Sequence, residues 1–230
     1  MTEMAVTDNA YLVGLIGRDI GASRSPWLHE REAGAQGLRL LYMLFDFAQR
    51  GWDAAELPRL LAALRTVGAA GCNVTYPYKQ AVIPHLDGLS PQAAAVGAVN
   101  TIVFGNGRAI GHNTDVLGFG AALAGGIGNR RFRSVVQVGA GGAGAATAHA
   151  LLHHGTEELA LFDVDHDRAA TLCVRLQDRF PDRNIHVGAP LAAALAAADG
   201  LVNATPMGMD KLPGLPVPAD FGEFWKPLEW

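Results

Sequence analysis

Six residues near the middle of the chain, Gly139-Ala140-Gly141-Gly142-Ala143-Gly144, most narrow what the segment around them can become. Glycines at this spacing let the backbone turn sharply and lie open to a ligand. In a chain with 28 glycines the spacing alone is a weak signal. Its context makes it specific. Ser134 to Val138 is an apolar, β-branched run that reads as a strand, and Gly142 to His154 reads as a helix. A strand feeding a helix through such a turn aims backbone N–H groups at a phosphate, and the helix N-terminus adds partial positive charge. Gly139, Ala140, Gly141, Gly142, Ala143 and Gly144 are therefore candidate cofactor-binding residues, placed for the pyrophosphate of a dinucleotide.

The next strand, Leu159 to Asp163, ends on a carboxylate about 20 residues further on, where an acid accepts the hydroxyls of an adenine ribose. Asp165 and Asp167 follow. A ribose 2′-phosphate there would meet like charge, at roughly 3 kcal/mol per pair for about 5 Å and an effective dielectric of about 20. The expected cofactor is NAD. Arg168 is the one nearby cation; it is a cofactor-side candidate, with a salt bridge to the aspartates as its plainer reading.

Strand-like and helix-like segments alternate along the whole chain, the pattern of an α/β protein with parallel sheets. Tyr11 to Ile16, Leu40 to Phe47 and Cys72 to Thr75 read as strands. Pro26 to Gln36 reads as a helix capped by Ser25, and Ala54 to Val67 carries Leu57, Leu60, Leu61 and Leu64 at helical spacing. Ala98 to Phe104 and Arg108 to Asn113 flank a Gly-Asn-Gly turn and read as a hairpin. Asp115 to Leu123 reads as a helix stopped by a glycine-rich break at Gly125 to Gly128. Ala189 to Ala198 reads as a buried helix. The expected organisation is an N-terminal α/β substrate domain over residues 1–115, then a Rossmann-type dinucleotide-binding domain over residues 116–230.

Composition excludes several classes. Half the 230 residues are hydrophobic and 17% are charged, ample for a core. A net charge of −4 offers no basic face for nucleic acid. The cluster of Arg130, Arg131 and Arg133 reads as a solvated loop. No run of about 18 apolar residues exists to span a membrane, and no leader-like segment opens the chain. Cys72 and Cys173 have no partners at ligand spacing, so no metal site is expected, and the two read as reduced thiols of a cytoplasmic protein.

Three motifs precede the nucleotide-binding unit: Ser23-Arg24-Ser25-Pro26-Trp27-Leu28-His29, Asn73-Val74-Thr75-Tyr76-Pro77-Tyr78-Lys79, and Gly97-Ala98-Val99-Asn100-Thr101 with Gly111-His112-Asn113-Thr114-Asp115. Each lies at or after the end of an expected strand, the edge that faces ligand in open α/β sheets. Ser23, Ser25, Thr75 and Asn100 can hydrogen-bond a carboxylate or ring hydroxyls. Lys79 and Asp115 are the oppositely charged pair able to move a proton. Together these suit a small polyhydroxylated acid.

On these motifs, from about Leu12 to Met209, the sequence closely resembles the shikimate dehydrogenase family. The resemblance includes Asn203-Ala204-Thr205-Pro206-Met207-Gly208-Met209, similar to the family's loop beside the nicotinamide, which adds Thr205, Pro206 and Met207 to the cofactor side. It implies an oxidoreductase that interconverts shikimate and 3-dehydroshikimate, quinate and 3-dehydroquinate, or both. Lys79 and Asp115 would be catalytic, Ser23, Ser25, Thr75 and Asn100 would bind substrate, and the setting would be aromatic amino acid biosynthesis. Biosynthetic members carry Asn-Arg-Thr after the second nucleotide-domain strand, whereas this chain has Phe162-Asp163-Val164-Asp165, similar to the NAD-linked quinate/shikimate branch. Family members also continue for several tens of residues past this point. The tail after Pro213, with Phe221, Phe224, Trp225 and Trp230, shows no family motif, so the chain reads as truncated at its C-terminus. The last strand, Leu201 to Asn203, is then expected at an open edge that invites association, a homodimer being one form of it. Two alternatives stay open: the same chemistry on an aminated or other analogue, and a catalytically impaired dinucleotide-binding protein.

Overall fold

The computed structural model describes residues 10–128, 130–209 and 212–217. The chain divides into two compact units between Asn113 and Thr114, two residues before the boundary expected after Asp115.

In the first unit Ala10–Gly17 (β1) pairs in parallel with Arg39–Asp46 (β2) on one side and Gly71–Val74 (β3) on the other. Three strands complete the far side of the sheet: Gly88–Leu89 (β4), parallel to Arg108–His112 (β6), and Thr101–Gly105 (β5), antiparallel to both β3 and β6. The order is β2-β1-β3-β5-β6-β4. The β5–β6 hairpin turns through Asn106 and Gly107 at φ 51° and 72°, the two positive values that a two-residue turn matched to strand twist requires. Because β5 runs against β3, its first residue lies at the same edge as the last residues of β1, β2 and β3. The register Thr101 to His112 brings the end of β6 to that edge too.

Ser25–Ala35 (α1), Leu57–Thr66 (α2) and Pro91–Val96 (α3) accompany this sheet. The leucine spacing of α2 places Leu57, Leu60, Leu61 and Leu64 in the core with Ile16, Phe45, Phe47, Val74 and Val82. Each buried leucine contributes about 1.5–3 kcal/mol. The reading of Ser25 as a helix cap is overturned. Arg24 holds the cap position without a side-chain bond, and Ser25 is the first helical residue. The Ser23 hydroxyl accepts the Ser25 N–H at 3.2 Å, which satisfies that donor from outside the helix. Helix α3 was not expected from the sequence, though its signals are present. Ser90 accepts the Ala93 N–H, Pro91 opens the helix, and Gly97 closes it at φ 66°.

The second unit carries four parallel strands, Ser134–Val138 (β7), Glu158–Phe162 (β8), Asn184–Val187 (β9) and Gly200–Asn203 (β10), in the order β10-β7-β8-β9. Among the described residues β10 is an edge strand. Order reverses between β7 and β10, so the crevice between their carboxyl ends is where a ligand belongs. Its helices are Asp115–Ile127 (α4), Gly142–His154 (α5), His166–Arg179 (α6) and Leu191–Ala197 (α7). Helix α4 runs through the expected break and stops at Gly128, φ 58°. A helical glycine costs about 1 kcal/mol relative to alanine, and packing of the apolar α4 on α5 offsets it. The expectation that α7 is buried also fails: only Leu195 is, because a helix on one face of a sheet covers one side of itself.

Cys72 and Cys173 are free and buried. Among the described residues no cluster of three or more potential metal ligands is found, and no helix is long and apolar enough to cross a membrane. The aromatic tail, residues 221–230, lies outside the described residues.

One core residue of α5 ties the second unit to pH. His149 is 5% exposed and neither ring nitrogen has a hydrogen-bond partner among the described residues. The rings of His153 and Phe180 pack on it at 4.8 and 5.2 Å. Burial, reinforced by His153 and Arg179, pushes its pKa from 6.5 down to about 4. A depressed histidine is neutral when folded and gains a proton on unfolding, so its contribution is complete above pH 6.5 and is lost as pH falls toward 4. We predict that His149→Phe flattens the fall of Tm between these pH values and raises Tm at neutral pH; thermal unfolding with the wild-type pH slope would count against it.

Candidate functional site

The chemistry-bearing residues of the first unit gather at the single sheet edge where β1, β2 and β3 end and β5 begins. The loop after β1, residues 18–24, is fixed by a carboxylate as well as by the packing of Ile20 on Leu15 and Tyr42. Asp46, the buried last residue of β2, accepts the N–H groups of Asp19 at 2.9 Å, Ile20 at 2.8 Å and Ala48 at 3.0 Å. Burial alone would raise the Asp46 carboxyl. The N–H donors of Asp19, Ile20, Gln49 and Ala48 outweigh it and hold the group below the usual carboxylate value. Arg18 N–H also donates to the Tyr76 carbonyl, which ties this loop to the one after β3.

Ser23 and Ser25 stand at the end of the fixed loop, with the Ser23 hydroxyl donating to Ser25 Oγ at 3.1 Å. Thr75 follows β3; its N–H donates to Ile16 and its carbonyl accepts from Tyr78, so the turn is anchored at both ends. Lys79 is half-buried in the same turn, and its carbonyl accepts the Val99 N–H at 2.7 Å. Asn100 is 9% exposed, and its backbone pairs with Val74 and with His112. Ser23, Ser25, Thr75, Lys79 and Asn100 thus share one edge of the first unit. Asp115 opens α4 in the second unit, in the first helical turn where a carboxylate meets the positive end of the helix.

Sequence reasoning missed two residues of this edge. Asn73 and Tyr42 lie behind the serines: the Tyr42 hydroxyl donates to Asn73 Oδ1 at 2.8 Å. The Asn73 amide donates to Thr101 Oγ1 at 3.0 Å. Tyr42 reads as an ordinary aromatic of a strand, and nothing local in the sequence marks its partner 31 residues away.

In the second unit the glycine turn joins β7 to α5 at the reversal point. A side chain on Gly139, at φ 103°, would strike the Ala204 backbone after β10 at 2.7 Å, and one on Gly144 would strike the Gly139 carbonyl. A side chain on Gly141 would meet nothing within 4 Å. The protein itself thus forbids side chains at the outer two positions. Open space over the middle one, at the start of a 13-residue helix, fits the close approach of a pyrophosphate.

The loop is braced from beneath by Gln137, which is fully buried and was not foreseen. Its Nε2 donates to the carbonyls of Gly139 and Gly144, each at 2.9 Å, and its Oε1 accepts from Thr147 at 2.8 Å. Asp163 ties the same loop from the side. Its side chain is 6% exposed, Oδ2 accepts the Ala140 N–H at 2.7 Å, and Oδ1 accepts the Asp165 N–H at 2.9 Å. Arg168 pairs with Asp163 at 3.4 Å and with Asp165 at 3.0 Å. The salt bridge read as its plainer role is therefore present. Val164 next to Asp163 is fully exposed. In the turn after β10, Thr205 donates to Asn203 Oδ1 through both its N–H and its hydroxyl, and the Met207 N–H donates to Thr205 Oγ1. Pro206 lies within this turn.

Comparison with known proteins supplies the remaining context. The family model for the shikimate dehydrogenase substrate-binding domain matches residues 15–102. A shikimate dehydrogenase (NADP(+)) of Streptomyces avermitilis is 52% identical over 94% of this chain and 75% of its own length. A quinate/shikimate dehydrogenase (NAD(+)) of Corynebacterium efficiens is 46% identical over 90% of this chain and 74% of its own length. The crystal structure of quinate dehydrogenase from Corynebacterium glutamicum in complex with NAD superposes with a TM-score of 0.80 at 44% identity, covering 92% of this chain and 76% of that one.

The brace beneath the glycine turn leads to a direct test. Gln137→Leu leaves the Gly139 carbonyl without its buried donor, at about 1–3 kcal/mol, and removes one of two side-chain donors from the Gly144 carbonyl, which keeps the Thr147 hydroxyl. The expected outcome is a clear loss of thermal stability together with weaker dinucleotide binding, followed by melting curves and titration; unchanged values in both would show that the brace is dispensable.

Proposed function

The chain belongs to the shikimate dehydrogenase family, and from that membership we propose that it is an NAD-dependent oxidoreductase interconverting shikimate with 3-dehydroshikimate, quinate with 3-dehydroquinate, or both. The observation that carries this reading is the gathering of Ser23, Ser25, Thr75, Lys79 and Asn100 at one sheet edge of the first unit, in a chain whose second unit holds a braced glycine turn. Hydroxyls and amides of that set suit a ring bearing several hydroxyls and one carboxylate. Ser23 and Ser25 receive the carboxylate; Thr75 and Asn100 bond ring hydroxyls. Lys79 takes the proton of the reacting hydroxyl and returns it in the reverse direction, and Asp115 is assigned as the second catalytic residue. When bound, the dinucleotide accepts or donates the hydride at its nicotinamide.

The cofactor preference rests on Asp163. A carboxylate at the end of β8, with the apolar Val164 exposed beside it, favours two ribose hydroxyls over a 2′-phosphate. Arg168 lies within salt-bridge reach of the same carboxylate, and the Streptomyces relative is named for NADP(+), so use of NADP is the second reading.

Two outcomes test the proposal. In a spectrophotometric assay with shikimate or quinate, NAD should exceed NADP by more than about tenfold in kcat/KM, because the Asp163 charge, offset in part by Arg168, still repels a 2′-phosphate. Asp163→Asn should narrow that ratio. Equal use of both cofactors by the unaltered protein would favour the second reading. Lys79→Ala should lower kcat by roughly 10² to 10⁴ with little change in KM for the dinucleotide. A near-normal kcat would remove Lys79 from proton transfer.

A further inference from the structure

Five side chains at the functional edge of the first unit lie in one polar series that ends at Asn100. Ser23 donates to Ser25 at 3.1 Å. The Ser25 hydroxyl lies beside the Tyr42 phenol and favours its ionised form. Tyr42 donates to Asn73 Oδ1 at 2.8 Å, Asn73 Nδ2 donates to Thr101 Oγ1 at 3.0 Å, and Thr101 donates to Asn100 Oδ1 at 3.0 Å. A hydroxyl has one proton to give, so each donation fixes the direction of the next. Tyr42 spends its proton on Asn73, so towards Ser25 it can only accept. Burial pushes its pKa up to about 12, against the opposing effect of the Ser25 hydroxyl, so the phenol keeps that proton at any working pH.

The two ends of the series are the groups assigned to substrate: the serine hydroxyls at one, the Asn100 amide at the other. Tyr42 is the link where the two loops meet. Its ring is held independently, stacked on His29 at 4.8 Å and 8°, and its N–H donates to Glu30 at 2.9 Å. The hydroxyl is thus presented by a rigid support. We infer that Tyr42 is a positioning residue for the substrate: its phenol couples the Ser23–Ser25 hydroxyls to the Asn73–Thr101–Asn100 cluster, so both halves of the donor set are oriented together. The polarity has a consequence for selectivity. Thr101 holds Asn100 Oδ1 as an acceptor, which fixes the amide against flipping and sets which of its ends can face a ring hydroxyl. This inference rests on the reading of Ser23, Ser25 and Asn100 as substrate ligands.

Tyr42→Phe removes the hydroxyl and keeps the ring. The expected result is a rise of about fivefold or more in KM for shikimate or quinate, with kcat within about twofold and NAD affinity unchanged. Ser23 does not touch Tyr42, yet Ser23→Ala combined with Tyr42→Phe should raise KM by less than the product of the single effects. A readout free of turnover is the side-chain amide NMR signal of Asn100, two links from the phenol. It should shift and exchange faster in Tyr42→Phe at a temperature where the fold is intact. Unchanged KM, multiplicative effects, or an undisturbed Asn100 amide would each reduce Tyr42 to a packing residue. Failure of the unaltered protein to turn over either substrate would remove the functional reading, and the Asn100 signal would still decide whether Tyr42 orients the set.

Discussion

Parallel strands leave a particular debt at their carboxyl ends, where the chain turns away and backbone groups lose their ladder partners while still shielded from water. Much of this structure consists of answers to that requirement by buried polar side chains. In the first unit the Asp46 carboxylate gathers four N–H groups and so shapes the loop that carries Ser23. In the second, Gln137 answers the opposite need and supplies donors to two carbonyls of the glycine turn. Asp163 supplies the acceptor for an N–H of the same turn. The amino end of β7 is met by an exposed carboxylate instead, with Asp199 accepting from Arg133 and Ser134. The loop after β1 and the glycine turn are thus each held by a charge or an amide buried beneath them.

How much of this was legible in the sequence depends on the range over which each interaction acts. The α2 leucines, the Asn106-Gly107 turn and the strand–glycine–helix sequence are local patterns, and each forms where its spacing predicts. The helix α4 was misjudged because glycines were weighed by intrinsic propensity, while its length is decided by packing on α5. The braces were invisible for a different reason. Asp46 reaches back 27 residues to Asp19, and Gln137 looks like a polar interruption in an apolar strand. No periodicity encodes such contacts; only the folded register brings them within bonding distance.

The candidate site divides along the same line. Its residue types were readable from motifs, and five of them stand at one edge of the first unit. Their orientation was not readable: Asn100 is bonded by Thr101, Thr101 by Asn73 and Asn73 by Tyr42, and none of these is of an unusual type. Arg168 shows the reverse case. A cation near a carboxylate at the end of a nucleotide-domain strand invites a functional assignment, yet its guanidinium is engaged by Asp163 and Asp165 and offsets charge there.

The glycine turn carries a historical consequence. Gly139 and Gly144 are held by the neighbouring backbone, so selection for folding alone would preserve them. Gly141 faces open space, and no neighbouring atom of the fold restrains it. In a descendant lineage that had abandoned dinucleotide chemistry but kept the fold, position 141 would be released to drift while its neighbours stayed fixed. The three glycines together therefore form a record in which loss of purpose can be told apart from loss of structure.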